Sequence, residues 1–108
     1  MSKKKQVRAQ FRNAVFTRDG NKCRVCSWVH TPAIREEGLD AHHITDRNEM
    51  PNGGYVKENG IALCPDCHKK AEVFHSTGES VDGFSPDELY TLIGSSFESA
   101  INASKKLA

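Results

Sequence analysis

The sequence predicts a small α+β domain with a helix flanking each end, and three observations carry that prediction. Two Cys-x-x-Cys knuckles, Cys23/Cys26 and Cys64/Cys67, enclose 37 residues. Within that span, residues 39–44 (LDAHHI) and 59–63 (NGIAL) have the composition of short strands. They are separated by a loop rich in turn formers: Asn48, Pro51, Asn52, Gly53 and Gly54. Pro65 then stands where a first helical residue belongs, so a helix starts at the second knuckle and runs through Cys67, His68 and Glu72 to about His75. The order strand, loop, strand, helix makes the centre of the chain, residues 23–75.

The remaining elements follow in turn. After a basic tail over residues 1–5, Val7, Phe11, Ala14 and Val15, with Ala9 and Phe16, recur near helical spacing. A helix is predicted over 6–18, stopped by Asp19-Gly20, with its apolar face against the knuckles. Residues 27–38, with Pro32 and Gly38, show no period and form a connecting loop, in which Trp28 reads as a packing residue rather than a base-stacking one. Residues 76–84 (STGESVDGF) form a linker. Ser85-Pro86-Asp87-Glu88 is a capping box with proline at the first helical position, announcing a last helix over 85–103. Leu89, Leu92, Ile93, Phe97, Ala100 and Ile101 mark its apolar face, which reads as core or, in so short a chain, as a dimer surface.

At 108 residues, 37% of them hydrophobic, the chain has material for one domain with a thin core. A metal would reinforce it, because metal binding contributes folding free energy. No apolar run approaches a membrane span, and the start MSKKKQVRAQ lacks the apolar segment of a signal peptide. The expectation is an intracellular, cytoplasmic protein with no membrane partner. In a reducing compartment, two Cys-x-x-Cys pairs are metal ligands or redox groups rather than a disulfide framework. A redox role would ask for one reactive pair on a thioredoxin-like unit, and no such pattern of elements is present. Four thiolates at this spacing suit a closed, tetrahedral, structural Zn²⁺ site.

The net charge of +1 conceals an asymmetry. Residues 1–26 carry eight Lys/Arg against Asp19 alone, whereas residues 27–70 sum to −2 and residues 71–108 to −4. A basic arm on a neutral-to-acidic body suits a polyanion binder, since neutralising phosphates releases counterions. Lys3, Lys4, Lys5, Arg8 and Arg12 are the candidate nucleic-acid contacts, although composition alone equally describes a solvated tail.

The histidines and Asn59 ask for different chemistry. Hydrolysing a phosphodiester needs an activated water and a cation on the phosphate and leaving oxygen. A histidine that is neutral near pH 7 is a natural base. Adjacent strand residues point to opposite faces, so of His42 and His43 one should face the helix bearing His68 and share its metal while the other faces substrate. Asn59, at the start of the second strand, can hydrogen-bond across the loop and fix the base-bearing backbone. His30 and His75 read as ordinary surface or packing histidines.

The ordered run C-R-V-C (23–26), A-H-H-I (41–44) and N-G-I-A-L-C-P-D-C-H (59–68) resembles the HNH endonucleases, in the subgroup stapled by a four-cysteine zinc. The resemblance covers residues 11–75. It implies a ββα-metal, treble-clef-like fold within a single domain spanning residues 1–108. His42 falls on the family's first metal-ligand position, His43 on the general base, Asn59 on the asparagine that orients the base, and His68 on the second ligand. Glu72 falls one helical turn on, where some relatives have a further ligand. The implied function is a metal-dependent DNA endonuclease that nicks or cuts both strands, using Mg²⁺ or Mn²⁺. Its small scale suits a phage or other mobile-element protein, with the host cytoplasm, a protein partner in a phage DNA-processing complex and a homodimer as corollary expectations. The competing function is a zinc-stapled nucleic-acid-binding or adaptor module without turnover.

Overall fold

The computed structural model describes residues 3–27 and 38–107, so Trp28, His30 and nearly all of the loop expected over 27–38 lie outside the described residues. The chain forms α1 (Lys3–Asp19), β1 (Asp40–His43), β2 (Gly60–Leu63), α2 (Pro65–Thr77), α3 (Pro86–Leu92) and α4 (Phe97–Lys105). Three short 3₁₀ turns, Arg47–Glu49, Pro51–Gly54 and Lys57–Asn59, fill the β1–β2 connection. Among the described residues, no helix is long and apolar enough to cross a membrane.

The two strands pair antiparallel, with Asp40 opposite Leu63, Ala41 opposite Ala62, His42 opposite Ile61 and His43 opposite Gly60. Side chains alternate across the sheet, so the hairpin serves two packing layers. Ile61 and Leu63 join Ile44, Met50, Ala71, Phe84, Leu89, Tyr90 and Ala100 on one side, together with Cys23, Cys64 and Cys67. On the other side Ala62 packs with Phe11 and Val15 of α1, and Phe16, Ala41 and Tyr55 close the edge of that cluster.

Helix α1 begins at Lys3, so the lysines expected in a tail form its first turn. Nothing in Lys3-Lys4-Lys5-Gln6 breaks a helix, and lysine is a good helix former. Its end is at the expected place: Gly20 has φ +71°, and the Asn21 N–H returns to the Phe16 carbonyl at 2.9 Å. Asp19 does more than stop the helix. Its buried carboxylate accepts the Ala62 N–H at 2.9 Å and both arms of the Arg18 guanidinium at 2.8 Å. Arg18 in turn donates to the carbonyls of Lys57 and Gly60, each at 2.6 Å. The Arg24 N–H of the first knuckle reaches the Ala62 carbonyl at 2.9 Å, so the outer edge of β2 is covered rather than left as an unpaired strand edge.

Helix α2 is capped by Cys64, whose sulfur accepts the Cys67 N–H at 3.4 Å, and ends at Gly78 with φ +79°. The single C-terminal helix expected over 85–103 is instead two. The Ser85–Glu88 capping box starts α3, Gly94 turns the chain at φ +67°, and Ser96 caps α4 by accepting the Ser99 N–H at 3.0 Å. The break divides the apolar stripe: Leu89 and Ala100 are buried, whereas Leu92 and Phe97 are 42% and 48% exposed.

Gly60 holds the α1–sheet interface together by having no side chain. A Cβ there would stand 2.5 Å from Val15 Cγ2 and 2.6 Å from Phe11 Cε1. Its φ of −127° is open to any residue, so the constraint is space alone. Gly60→Ala is expected to cost about 1–3 kcal/mol through overpacking, read as a lower midpoint in urea or thermal unfolding; an unchanged midpoint would show that α1 yields freely.

Candidate active site

Two clusters of metal-binding side chains flank α2. The sulfurs of Cys23, Cys26, Cys64 and Cys67 all lie within 4.8 Å of one another, with Cys26 Sγ and Cys64 Sγ 3.6 Å apart. A tetrahedral zinc with Zn–S bonds of about 2.3 Å sets its sulfurs about 3.8 Å apart, which this group matches. Their proton affinities diverge as crowded thiols must. Burial raises Cys23, but hydrogen bonding at Cys26, Cys64 and Val25 outweighs it and leaves the thiol at about 7, while burial and the neighbouring Cys64 and Cys23 push Cys67 far above the ordinary thiol range. Four thiolates together require a cation.

The second cluster faces a cavity of about 310 Å³ lined by Ala41, His42, His43, Asp46, Arg47, His68, Glu72 and His75. His42 is buried on the α2 side of the hairpin, and α2 presents His68, Glu72 and His75 to it at i, i+4 and i+7, one face of the helix. The ligand atoms of His42, Glu72 and His75 lie within 4.8 Å of one another. Glu72 Oε1 is the common point: His42 Nδ1 is 3.3 Å from it and His68 Nε2 is 3.0 Å. His68 is therefore brought to the cluster from its exposed flank, where its Nδ1 lies 3.2 Å from Asp40 Oδ2. His75 donates from Nε2 to the His43 carbonyl at 3.0 Å, leaving Nδ1 as its lone-pair nitrogen. The residues fit a divalent cation, because His42 Nδ1 is buried close to Glu72 without a hydrogen bond. A buried lone pair beside a carboxylate lacks only the charge that both would accept.

The electrostatics favour the ligand forms. The His42 imidazole 3.3 Å away, with the charges of His42, His68 and His75, holds Glu72 down at about 2 against its partial burial. Burial lowers His42, while the hydrogen bond to Asp40 raises His68. A neutral buried imidazole beside an ionised carboxylate is the state a cation requires.

His43 projects from the opposite face of β1. Its ring stacks on Phe11 at 4.6 Å between centroids and receives the edge of Tyr55 at 4.7 Å. Burial, followed by the charges of His42 and Arg47, pushes it down to about 4. Its Nε2 is buried with no partner, on a residue that lines the same cavity as His42.

Asn59 is fully buried, and its side-chain hydrogen bonds close the loop between the strands. Its Oδ1 accepts the Thr45 N–H at 3.0 Å and the Tyr90 O–H at 2.7 Å, and its Nδ2 donates to the carbonyls of Thr45 at 3.1 Å and Gly54 at 3.2 Å. The Ile44 N–H also reaches the Asn59 carbonyl at 2.9 Å, so the backbone immediately after His43 is held at both ends. Of the basic candidates, Lys3, Lys4, Lys5, Arg8 and Arg12 are all exposed along α1; Arg8 lies over the Tyr55 ring and Arg12 over that of Phe16.

Sequence reasoning passed over His75, Arg47, Tyr55 and Tyr90. His75 carried a signal in its i+7 spacing from His68. The other three become neighbours of the site only through the folding of the β1–β2 loop and of α3.

A hairpin on a helix, with a four-thiolate cluster at the helix start and a histidine–carboxylate cluster along it, is the architecture of a small ββα-metal domain. Residues 23–74, just under half of the chain, match the family model for the HNH endonuclease, and the four-cysteine cluster is consistent with the zinc-stapled kind of HNH domain. No curated protein and no solved structure matches the chain.

Asn59→Ala is expected to destabilise the fold by about 2–4 kcal/mol, because it strands the buried Thr45 N–H and Tyr90 O–H and the carbonyls of Thr45 and Gly54. Chemical denaturation measures it, and a loss below about 1 kcal/mol would show that the loop closes without the amide.

Proposed function

We propose that the protein is a metal-dependent endonuclease that hydrolyses phosphodiester bonds in DNA. The observation that carries the proposal is the unpartnered, buried Nε2 of His43, a residue that lines the same cavity as His42, Glu72, His68 and His75. A module that only bound nucleic acid would have no use for a base held beside a cation site.

His42 and Glu72, with His68 or His75, would hold a divalent cation such as Mg²⁺ or Mn²⁺, whose charge would be available to the phosphate and the leaving oxygen. His43 takes the proton of the attacking water on Nε2. Its lowered proton affinity keeps the imidazole neutral at neutral pH, and Phe11 and Tyr55 pack against the ring. Asn59 positions the base through the backbone of residues 44 and 45. Asp40 orients His68, in the way that carboxylates commonly orient ligand histidines. The four cysteines hold a structural zinc.

Metal analysis of the purified protein is expected to find one zinc per chain at the cysteine cluster. Cys67→Ser should lower both the zinc content and the unfolding midpoint. Folded protein without zinc would exclude the staple.

Supercoiled plasmid with and without Mg²⁺ or Mn²⁺ tests the activity. His43→Ala should slow nicking by about 10²- to 10⁴-fold while zinc content, fold and DNA affinity stay near wild type. His42→Ala should instead weaken the divalent-ion requirement curve and recover in part at high metal. Comparing His68→Ala with His75→Ala in that titration shows which helical histidine completes the site. A His43→Ala protein that nicks at the wild-type rate would remove His43 as the base. A wild type without metal-dependent cleavage would favour the non-catalytic nucleic-acid-binding module.

A further inference from the structure

The cavity is electrically lopsided. On the His68 flank stand the exposed carboxylates of Asp40 and Glu72, and the charge of Arg12 is turned toward Asp40. Elsewhere on the lining, next to the carboxylate of Asp46, stands Arg47, the only lysine or arginine among the described lining residues. It is exposed, and its Nη1 donates to the Tyr55 hydroxyl at 3.3 Å.

Tyr55 connects this part of the lining to a second concavity. One side of the ring meets His43, and the Arg8 guanidinium lies 5.9 Å from the ring centroid. Burial raises the Tyr55 phenol, yet the neighbouring Arg47 and Arg8 outweigh it and leave the group below its ordinary value. Beyond Arg8, a cavity of about 430 Å³ is lined by Lys3, Lys4, Val7, Arg8, Asn52, Tyr55 and Leu107. Lys4 and Arg8 are separated by one turn of α1 and share a face. The cations are thus arranged as a line that begins at the cavity beside the base and continues over an aromatic ring to the start of α1. A merely solvated helix face would give no reason for a tyrosine to sit between two guanidinium groups.

We propose that duplex DNA lies along this line, its phosphates beside the scissile one held by Arg47 on the cavity lining, by Arg8 across Tyr55, and by Lys3 and Lys4 in the first turn of α1. The proposal rests on the reading of the cavity as a phosphodiester site, and it adds a direction: the backbone leaves over Tyr55 and not over Asp40. The tyrosine keeps the two guanidinium groups apart and oriented, and its edge on His43 couples the bound backbone to the base. The acidic flank would repel a phosphate chain taking the other way out.

Salt dependence of binding tests the surface separately from cleavage. A short DNA duplex is titrated with the full chain carrying His43→Ala, so that the DNA stays intact, over a range of salt. Arg47→Ala and Arg8→Ala should each flatten the slope of log affinity against log salt by about 0.9, and the double variant by about 1.8. Arg47→Lys should keep the slope. Lys106→Ala, a cation of a separate concavity formed with Arg18 and Lys57, should leave it unchanged. Unaltered slopes in Arg47→Ala and Arg8→Ala, or an equal loss in Lys106→Ala, would overturn the proposal. The expected slope losses in a protein whose wild type never cleaves would keep this surface and remove the hydrolytic reading. Metal-dependent cleavage with unaltered slopes would do the reverse.

Discussion

The alternation of side chains along β1 is the constraint on which the site depends. His42 and His43 are neighbours in sequence and cannot face the same way, and the register with Ile61 and Gly60 fixes which faces which layer. His42 goes beneath α2 among groups that bind cations. His43 goes toward α1 among rings that carry no charge. A slip of one residue would exchange the two, placing the partnerless Nε2 of His43 against Glu72 and the buried Nδ1 of His42 against Phe11. Gly60 is part of the same constraint: opposite His43, only a residue without a side chain lets α1 approach closely enough for Phe11 to stack on the imidazole.

So short a hairpin holds its register through buried polar groups that are fully partnered. Asp19 with Arg18 secures the outer edge of β2, and Asn59 with Thr45 and Tyr90 secures the loop. A buried carboxylate or amide is costly when alone and specific when satisfied, because few other arrangements supply the same donors and acceptors. The C-terminal helices belong to this scheme. Through Tyr90, α3 reaches Asn59 and Thr45, tying a part of the chain outside the HNH segment to the backbone that follows His43.

The elements near the metal groups were legible because their signals are local. Knuckle spacing, Pro65 at a helix start, the strand–loop–strand order and the Ser85–Glu88 box each act within a few residues, and the structure has each of them. The start of α1 was misplaced because a lysine run reads as a solvated tail, although it is a good helix former. The apolar stripe over 89–101 runs unbroken across Gly94-Ser95-Ser96, a left-handed turn followed by a helix cap, and so conceals the break between α3 and α4. Arg47, Tyr55 and Tyr90 had no local signal at all. Arg47 and Tyr55 lie in the irregular β1–β2 connection, and Tyr90 stands on a helix whose docking is set by packing between residues far apart in sequence.

Helix α2 explains why two clusters of different chemistry sit in one small chain. Cys64 caps it and Cys67 lies in its first turn, so four sulfurs gathered around one point would fix both the position of its start and its rotation about its own axis. The rotation matters most. Each residue turns an α-helix by about 100°, so a modest roll at Cys67 would carry His68, Glu72 and His75 away from His42 together, since all three share one face. Pro65 and the burial of Ala71 against the hairpin side restrict the same degree of freedom. The cysteine cluster therefore has a consequence beyond stability: it sets the angle at which His68, Glu72 and His75 meet the strand. A hydrophobic core as thin as this one would leave that angle loosely defined, whereas cysteine spacing and helix periodicity define it within a single turn.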